Sequence, residues 1–346
     1  MQEDNKMSDK KIKVFVSVPT EGRVMDGFFC DDVKPYLAEK FDITYSPLDR
    51  QLELEEIKEY AGDAEVIITG WDHLDLEAKA LEGTNIKLIA HTGGSVADLI
   101  TPSVWEAGYR VISGNDMFAE SVAEGALAYI LMALRRLPHY VKDMKDGGWR
   151  SPHLVATNGL LDQTVGLVGM GTISKYLIKL LKPFHVKLKL YSGYPIDEAF
   201  LRENNATQAS IEEIFATCKV VSLHSALNDK TKGMIGKEHF DLLQDDAVFI
   251  NSARAAIVRE EDLMAALSEN RFRAVLDVYH CEPLDANSPL RSMDNVYLVS
   301  HMAGPTGDRR PYITKNLADD IERFFNGEPL QYEISSKFAQ RMTKMH

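Results

Sequence analysis

Little cysteine, a deficit of positive charge and no uninterrupted apolar run of great length characterise this sequence before any motif does. Its 346 residues hold three cysteines, Cys30, Cys218 and Cys281. An odd number of widely spaced thiols without a Cys-x-x-Cys pair excludes a disulfide framework and points to a reducing, cytoplasmic setting. Lys and Arg number 39 against 52 Asp and Glu, a formal net charge of −13. That balance argues against the basic footprint of nucleic-acid binding and against attraction to an anionic membrane. It leaves room for a small anionic ligand, which needs only a local cation. No apolar run reads as long enough to span a membrane. Residues 1–11 are polar, carry both charges and contain no signal-peptide core, so they read as a disordered lead-in. Repeats, low-complexity tracts and long Pro/Gly linkers are missing too. What remains is a globular chain, 45% hydrophobic and long enough for two domains.

The chain's most informative stretch is Val165-Gly-Leu-Val-Gly-Met-Gly-Thr-Ile-Ser174. An apolar run stops at Gly169 and Gly171, and an amphipathic segment follows, with Ile173, Leu177, Ile178 and Leu181 on one face. Strand, tight turn and helix start form the setting in which Gly-x-Gly cradles a pyrophosphate against free helix N–H groups. Ser174 stands where the full pattern has a third glycine. A plain tight turn in an α/β protein would read the same way, so these ten residues do not decide the matter.

The rest of the chain supplies the context. Short apolar runs at 12–18, 41–45, 65–69, 87–91 and 110–113 alternate with helical patterns at 52–60 and 76–81, with a short helix after Pro102. This predicts a parallel sheet covered on both faces. A helical stretch over 121–145, broken or kinked at Pro138, separates it from a second set. A loop over 146–158 carries Trp149. Six further strands are predicted at 164–168, 187–191, 219–225, 247–251, 274–279 and 296–300, interleaved with helices at 172–181, 211–216, 237–243 and 260–269. The expected fold class is therefore α/β, with a doubly wound dinucleotide-binding sheet over 119–306. A smaller parallel α/β domain is built from 1–118 plus 307–346, the terminal helix at 310–325 returning to it.

Several polar residues fall where the second sheet delivers the carboxyl ends of its strands, the place where open α/β sheets bind ligands. Asn251, Ser252 and Arg254 follow one apolar run, Asp277 and Glu282 another, and His301 a third. Taken singly, each is most simply a solvated or capping residue. Together, at one edge of one sheet, they suggest a site. His280, Cys281 and Glu282 do not suggest a metal centre, because adjacent residues of an extended chain point apart and no second ligand pair has useful spacing.

These blocks resemble the D-isomer-specific 2-hydroxyacid dehydrogenase family, over about residues 87–306. The resemblance rests on Ser121-Val-Ala-Glu124, Val220-Val-Ser-Leu-His224, Asn251-Ser-Ala-Arg254, Asp277-Val-Tyr-His-Cys-Glu-Pro283 and Ser300-His-Met-Ala-Gly304. It implies a Rossmann-type domain inserted in a smaller flavodoxin-like one, an interdomain cleft, and a homodimer joined through the crossing-helix region. It further implies that Arg254 anchors the carboxylate of a 2-keto or 2-hydroxy acid, that His301 exchanges the proton, and that Glu282 orients His301. Guanidinium suits bidentate carboxylate binding, and imidazole titrates near neutrality. NAD or NADP contacts are implied for Gly169, Gly171, Thr172, Ile173, Ser192, His224, Ser252, Ala253, Asp277 and Gly304. Substrate contacts are implied for Gly94, Ser95 and Val96. Trp71, which follows a strand of the first domain, reads equally as a pocket wall or as a packing aromatic.

The departures from the family pattern are Ala226, Ala255 and, above all, Ser192. A carboxylate at the position of Ser192 would hold the ribose 2′-hydroxyl and repel a 2′-phosphate. No arginine follows to favour the phosphate, and Asp197 lies past the turn near a helix start, so NAD and NADP both stay open. No basic residue neighbours Trp71 in the sequence, which counts against a phosphorylated substrate. A cofactor-sensing corepressor shares the fold and the Arg–Glu–His set. Phosphite and formate oxidation are further readings, although formate enzymes of this family carry an amide where Glu282 stands.

Overall fold

The computed structural model describes residues 11–71, 75–97, 99–149 and 157–343. They fall into two compact units, Ala119–Pro305 and a discontinuous one formed by Met1–Phe118 with Thr306–His346. The expected lead-in lies almost wholly outside the described residues, as does most of the expected loop at 146–158.

The discontinuous unit contains β1 (Ile12–Val16), β2 (Phe41–Tyr45), β3 (Val66–Thr69), β4 (Leu88–His91) and β5 (Arg110–Ser113). All pair in parallel, in the order β2-β1-β3-β4-β5. That is the flavodoxin-like order. The central strands β3 and β4 are buried at every residue, as strands covered on both faces must be. Helix Arg309–Phe325 sends Ile313, Leu317, Ala318 and Ile321 into the core that holds Val14, Val16 and Phe28. Its buried Asp320 accepts hydrogen bonds from the Gln331 and Tyr332 amides at 2.8 and 2.9 Å, fixing the chain that follows.

The second unit contains β6 (Thr164–Val168), β7 (Lys187–Tyr191), β8 (Ala206–Gln208), β9 (Val220–Leu223), β10 (Val248–Asn251), β11 (Arg273–Leu276) and β12 (Val296–Leu298). Their order is β12-β11-β10-β9-β6-β7-β8, all parallel. Numbered within the unit this is 3-2-1-4-5-6-7, the dinucleotide-binding order with one strand added. The sheet has seven strands, where the sequence pattern predicts six. The extra strand, β8, is a three-residue edge whose burial is slight, so it carries no apolar run to read. One face packs on Phe215, Phe240, Phe249 and Phe272, the other on Ala126, Ile130, Leu177 and Ile178.

The predicted helix at 121–145 is two helices, Asn115–Arg135 and Leu137–Lys145. The break falls at Arg136, in the left-handed region at φ 51°, and Pro138 sits in the first turn of the second helix, where its missing N–H costs nothing. Arg136 then reaches Asp246 at 2.9 Å, which also binds Arg273 at 2.7 Å and Lys219 at 3.1 Å. This cluster ties the helix break to the amino ends of β9, β10 and β11, opposite the ends where ligands bind. The expectation that nothing reaches membrane-spanning length also needs correcting. Asn115–Arg135 is long and apolar enough by composition. Its apolarity is that of a core helix, since Ala123, Ala126, Ile130, Ala133 and Leu134 are fully buried in the second unit.

Candidate functional site

At the sheet's topological switch point, β6 and β9 part company: β6 leads into the glycine turn and β9 into His224. Gly169 has φ +109°, and a Cβ there would lie 2.5 Å from the Ser225 nitrogen and 2.7 Å from the His224 carbonyl carbon. Both the backbone angle and the close approach therefore require glycine. A Cβ on Gly171 would meet nothing within 4 Å. Helix Thr172–Leu181 starts directly after it with no side-chain cap, so its first N–H groups and positive dipole end are available. Ser174 is fully buried and donates a 2.6 Å hydrogen bond to the Gly169 carbonyl. The residue that departs from the three-glycine pattern thus fastens the turn.

Other strand ends complete this edge. His224 is buried, and burial pushes its pKa down to about 4, so the ring is neutral at pH 7. Ser222 lies 2.9 Å from its Nε2, while Nδ1 has no protein partner. The Ser252 hydroxyl is buried without a partner as well. Two orphaned polar atoms and an open glycine turn at a switch point fit a dinucleotide, whose polar groups can satisfy them. After β7, the Ser192 hydroxyl accepts from the Tyr194 amide at 3.2 Å. Asp197 caps helix Glu198–Glu203 by accepting from the Phe200 amide at 2.8 Å. Its carboxylate is thereby committed to the helix. Thr172 and Ile173 open the helix half-buried, Ala253 is buried, and Gly304 lies open beside His301.

Asn251 shapes the arginine turn: its side chain accepts from the Ala253 amide at 3.1 Å and donates to the Arg254 carbonyl at 3.2 Å. Arg254 Nη1 donates to the Ala253 carbonyl at 2.7 Å. Just past β11, Asp277 is 1% exposed and accepts from the Met302 amide at 2.7 Å, the Ala303 amide at 3.0 Å and the Tyr129 hydroxyl at 3.0 Å. Its role in the protein is thus to clamp the chain after His301, and one acceptor position on Oδ2 remains. Sequence reasoning missed Tyr129, which reads there only as one more apolar residue at helical spacing. The Tyr279 hydroxyl lies 2.8 Å from the Leu276 carbonyl and 2.7 Å from that of Val299, tying the ends of β11 and β12 together.

These ties bring Glu282 and His301 into register. Glu282 Oε1 accepts from the Tyr279 amide at 3.0 Å, and Oε2 lies 2.8 Å from His301 Nδ1. Burial pushes the Glu282 carboxyl up, but hydrogen bonds from His301 and the Tyr279 amide, with the charges of His301 and Arg254, outweigh it and leave the pKa below the ordinary carboxylate value. An ionised carboxylate only accepts, so Nδ1 carries the proton and Nε2 is left to exchange one. His301 is about half exposed (48%). His280 turns away, its Nε2 3.1 Å from the Val258 carbonyl.

The Gly93–Val96 loop lies in the other unit. The Gly94 carbonyl accepts from the Ser113 hydroxyl at 3.1 Å, the Ser95 hydroxyl donates to the Thr343 carbonyl at 2.7 Å, and Val96 is fully buried. Loop carbonyls and side chains are thus held from within the unit.

Residues 127–303 match the family model described as "D-isomer specific 2-hydroxyacid dehydrogenase, NAD binding domain". Human glyoxylate reductase/hydroxypyruvate reductase is 30% identical over 329 residues, 93% of this chain and 98% of that protein. Among solved structures, a phosphoglycerate oxidoreductase from Rhizobium etli superposes with a TM-score of 0.78 at 22% identity, covering 95% of this chain and 99% of that one. The apo form of Rhodotorula graminis D-mandelate dehydrogenase gives 0.75 at 21%, covering 94% and 98%. The last two likenesses concern the fold.

The two glycines of the turn should separate in their effects. Gly169→Ala is expected to lower stability, by more than about 1 kcal/mol, because of the backbone angle and the clash. Gly171→Ala should keep wild-type stability in urea denaturation yet weaken NADH or NADPH binding measured by fluorescence titration. Equal stability of the two variants would contradict this account of the turn.

Proposed function

The chain belongs to the D-isomer specific 2-hydroxyacid dehydrogenase family, and on that premise we propose that Arg254, Glu282 and His301 together interconvert a 2-keto acid and its D-2-hydroxy acid. It is an NAD(P)-dependent oxidoreductase of the D-2-hydroxyacid type. The single observation that carries the assignment of roles is the 2.8 Å contact between His301 Nδ1 and a Glu282 carboxylate held ionised. Bound NAD(H) or NADP(H) supplies or accepts the hydride.

Arg254 holds the substrate carboxylate through two parallel hydrogen bonds, a geometry that guanidinium offers and ammonium does not. It also polarises the neighbouring keto oxygen. His301 gives the Nε2 proton to that oxygen in reduction and removes it in oxidation, while Glu282 keeps the ring oriented. Asp277 keeps the His301 segment in place through the Met302 and Ala303 amides. The amides of Gly94, Ser95 and Val96 meet the substrate carboxylate. Gly169, Gly171 and the start of helix Thr172–Leu181 hold the pyrophosphate, and His224 and Ser252 offer further polar contacts to the dinucleotide. With no carboxylate at Ser192 and no arginine after it, the site holds NAD or NADP, and the turn after β7 does not choose between them. Three free thiols support a reducing, cytoplasmic location.

Helix Leu137–Lys145 supports a homodimer. Leu137, Val141 and Met144 recur along one side of it and are 50–53% exposed, an apolar stripe that a second copy of the chain would cover.

Initial rates with NADH and NADPH against a panel of 2-keto acids, including glyoxylate and hydroxypyruvate, test the activity. Turnover of none would refute it. In that assay His301→Ala should lose roughly two to four orders of magnitude in kcat, the usual share of general acid–base catalysis, with cofactor affinity intact. Loss of cofactor binding would contradict the proton-transfer role. Arg254→Lys should raise KM sharply, by about tenfold or more for a bidentate contact reduced to a point charge. An unchanged KM would remove Arg254 from the carboxylate site. Light scattering should report a dimer, converted to monomer by the double substitution Val141→Glu, Met144→Glu. A wild-type monomer would end the dimer proposal.

A further inference from the structure

Gly125 and Tyr129 stand one turn apart on helix Asn115–Arg135, on the side that meets the chain after His301. A Cβ on Gly125 would lie 3.0 Å from both the Cα and the carbonyl oxygen of Ala303, and 3.3 Å from its Cβ. Glycine inside a helix is less stabilising than alanine. Here it lets the helix backbone come into direct contact with the Ala303 backbone. Four residues on, the Tyr129 hydroxyl donates to Asp277 Oδ1 at 3.0 Å. All of these residues belong to the second unit.

The carboxylate of Asp277 is loaded unevenly. Oδ1 takes two donors, the Met302 amide at 2.7 Å and the Tyr129 hydroxyl, whereas Oδ2 takes the Ala303 amide at 3.0 Å. The two amides come from one short segment. They tie that segment to the carboxylate but leave the carboxylate free to turn with it. The Tyr129 hydroxyl comes from a separate element, a helix packed into the core of the second unit, and so fixes the carboxylate in one orientation. Burial, and after it the charge of Asp277, pushes the Tyr129 pKa above its ordinary value, which keeps the phenol a donor throughout the neutral range.

His301 is thereby held from both sides. Before it, the Tyr279 hydroxyl lies 2.7 Å from the Val299 carbonyl; after it, Asp277 holds the Met302 and Ala303 amides. Between these ties His301 keeps φ 54°, an angle that a non-glycine residue adopts only under constraint. Its ring is about half exposed (48%), so backbone placement and the 2.8 Å contact with Glu282 direct it more than packing does. We propose that Tyr129 is a positioning residue for proton transfer: acting through Asp277, with Gly125 admitting the helix to Ala303, it holds His301 in the conformation from which the ring meets Glu282 and the substrate oxygen. This rests on the reading that His301 exchanges the proton.

Tyr129→Phe keeps the ring in the core and removes only the hydroxyl, so it is the variant that tests the proposal. Its kcat should fall about tenfold or more, because misplacement by about 1 Å can cost a hundredfold, while KM for the 2-keto acid and NADH affinity stay within about twofold. In a His301→Ala background the same substitution should change kcat by less than about twofold, since a residue that acts through His301 then has nothing to act on. An unchanged kcat in Tyr129→Phe, or an equal fall with and without His301, overturns the proposal. A role confined to stability would lower the urea midpoint and leave kcat alone. A second measurement needs no turnover. Isotope-labelled histidine is introduced into the wild type, Tyr129→Phe, Gly125→Ala and His301→Ala, and the ring nitrogens are observed by NMR. The Nδ1 signal that His301→Ala removes should move in Tyr129→Phe towards that of a histidine free in water, as the Glu282 contact loosens. Gly125→Ala, which crowds Ala303 and leaves the hydroxyl in place, should move the same signal. A signal unmoved in Tyr129→Phe overturns the proposal. If no 2-keto acid is turned over, a moved signal still supports the hold of Tyr129 on His301, and the catalytic reading alone falls.

Discussion

A single buried carboxylate organises the edge of the second unit at the carboxyl ends of its strands. Asp277, 1% exposed, is surrounded by the amides of Met302 and Ala303 and by the Tyr129 hydroxyl. A carboxylate removed from water survives only when donors replace its hydration. Here the donors come from a helix before the sheet and from a loop after it, so satisfying one charge fixes three segments of chain. His301, immediately before those amides, adopts φ 54° in the left-handed region. A non-glycine residue holds that backbone angle only where its surroundings enforce it, and the clamp on the next two residues does so. The 2.8 Å approach of Glu282 to the ring follows from this placement.

The two ends of the same sheet divide the labour. At the amino ends, Asp246 gathers Arg136, Lys219 and Arg273 into a closed set of charges. At the carboxyl ends, hydroxyl and imidazole atoms of Ser252 and His224 are left over. Closed polar sets stabilise a fold, whereas leftover ones await a ligand.

How much of this the sequence makes legible depends on the range of each interaction. Helix Thr172–Leu181 is bounded in the structure as the apolar spacing predicts, since glycine punctuation and a 3.6-residue stripe are local signals. The strand-end residues Arg254, Asp277, Glu282 and His301 are legible because they follow three successive apolar runs, Asp277 and Glu282 sharing one. β8 is not, because a polar three-residue edge strand is held by pairing with β7 rather than by its own pattern. The strands also end earlier than their apolar runs: β11 stops at Leu276 and β9 at Leu223, so Asp277 and His224 stand just outside the ladder. The pairing of Tyr129 with Asp277 lies beyond any local reading. Its meaning arises when distant segments meet.

The interrupted course of the chain also bears on its biosynthesis. The inserted unit ends at Pro305, so all its strands and core residues exist by then. The unit that begins first is still incomplete at that moment, because Ile313, Leu317, Ala318 and Ile321 of its core have not been made. Until helix Arg309–Phe325 emerges, the core around Val14 and Val16 has only its early-made partners such as Met25, Phe28 and Leu37 and stays incompletely covered. A vectorial folding order, in which the earliest residues settle earliest, is therefore inverted here: the nascent polypeptide must carry an open apolar surface while the later-made unit closes.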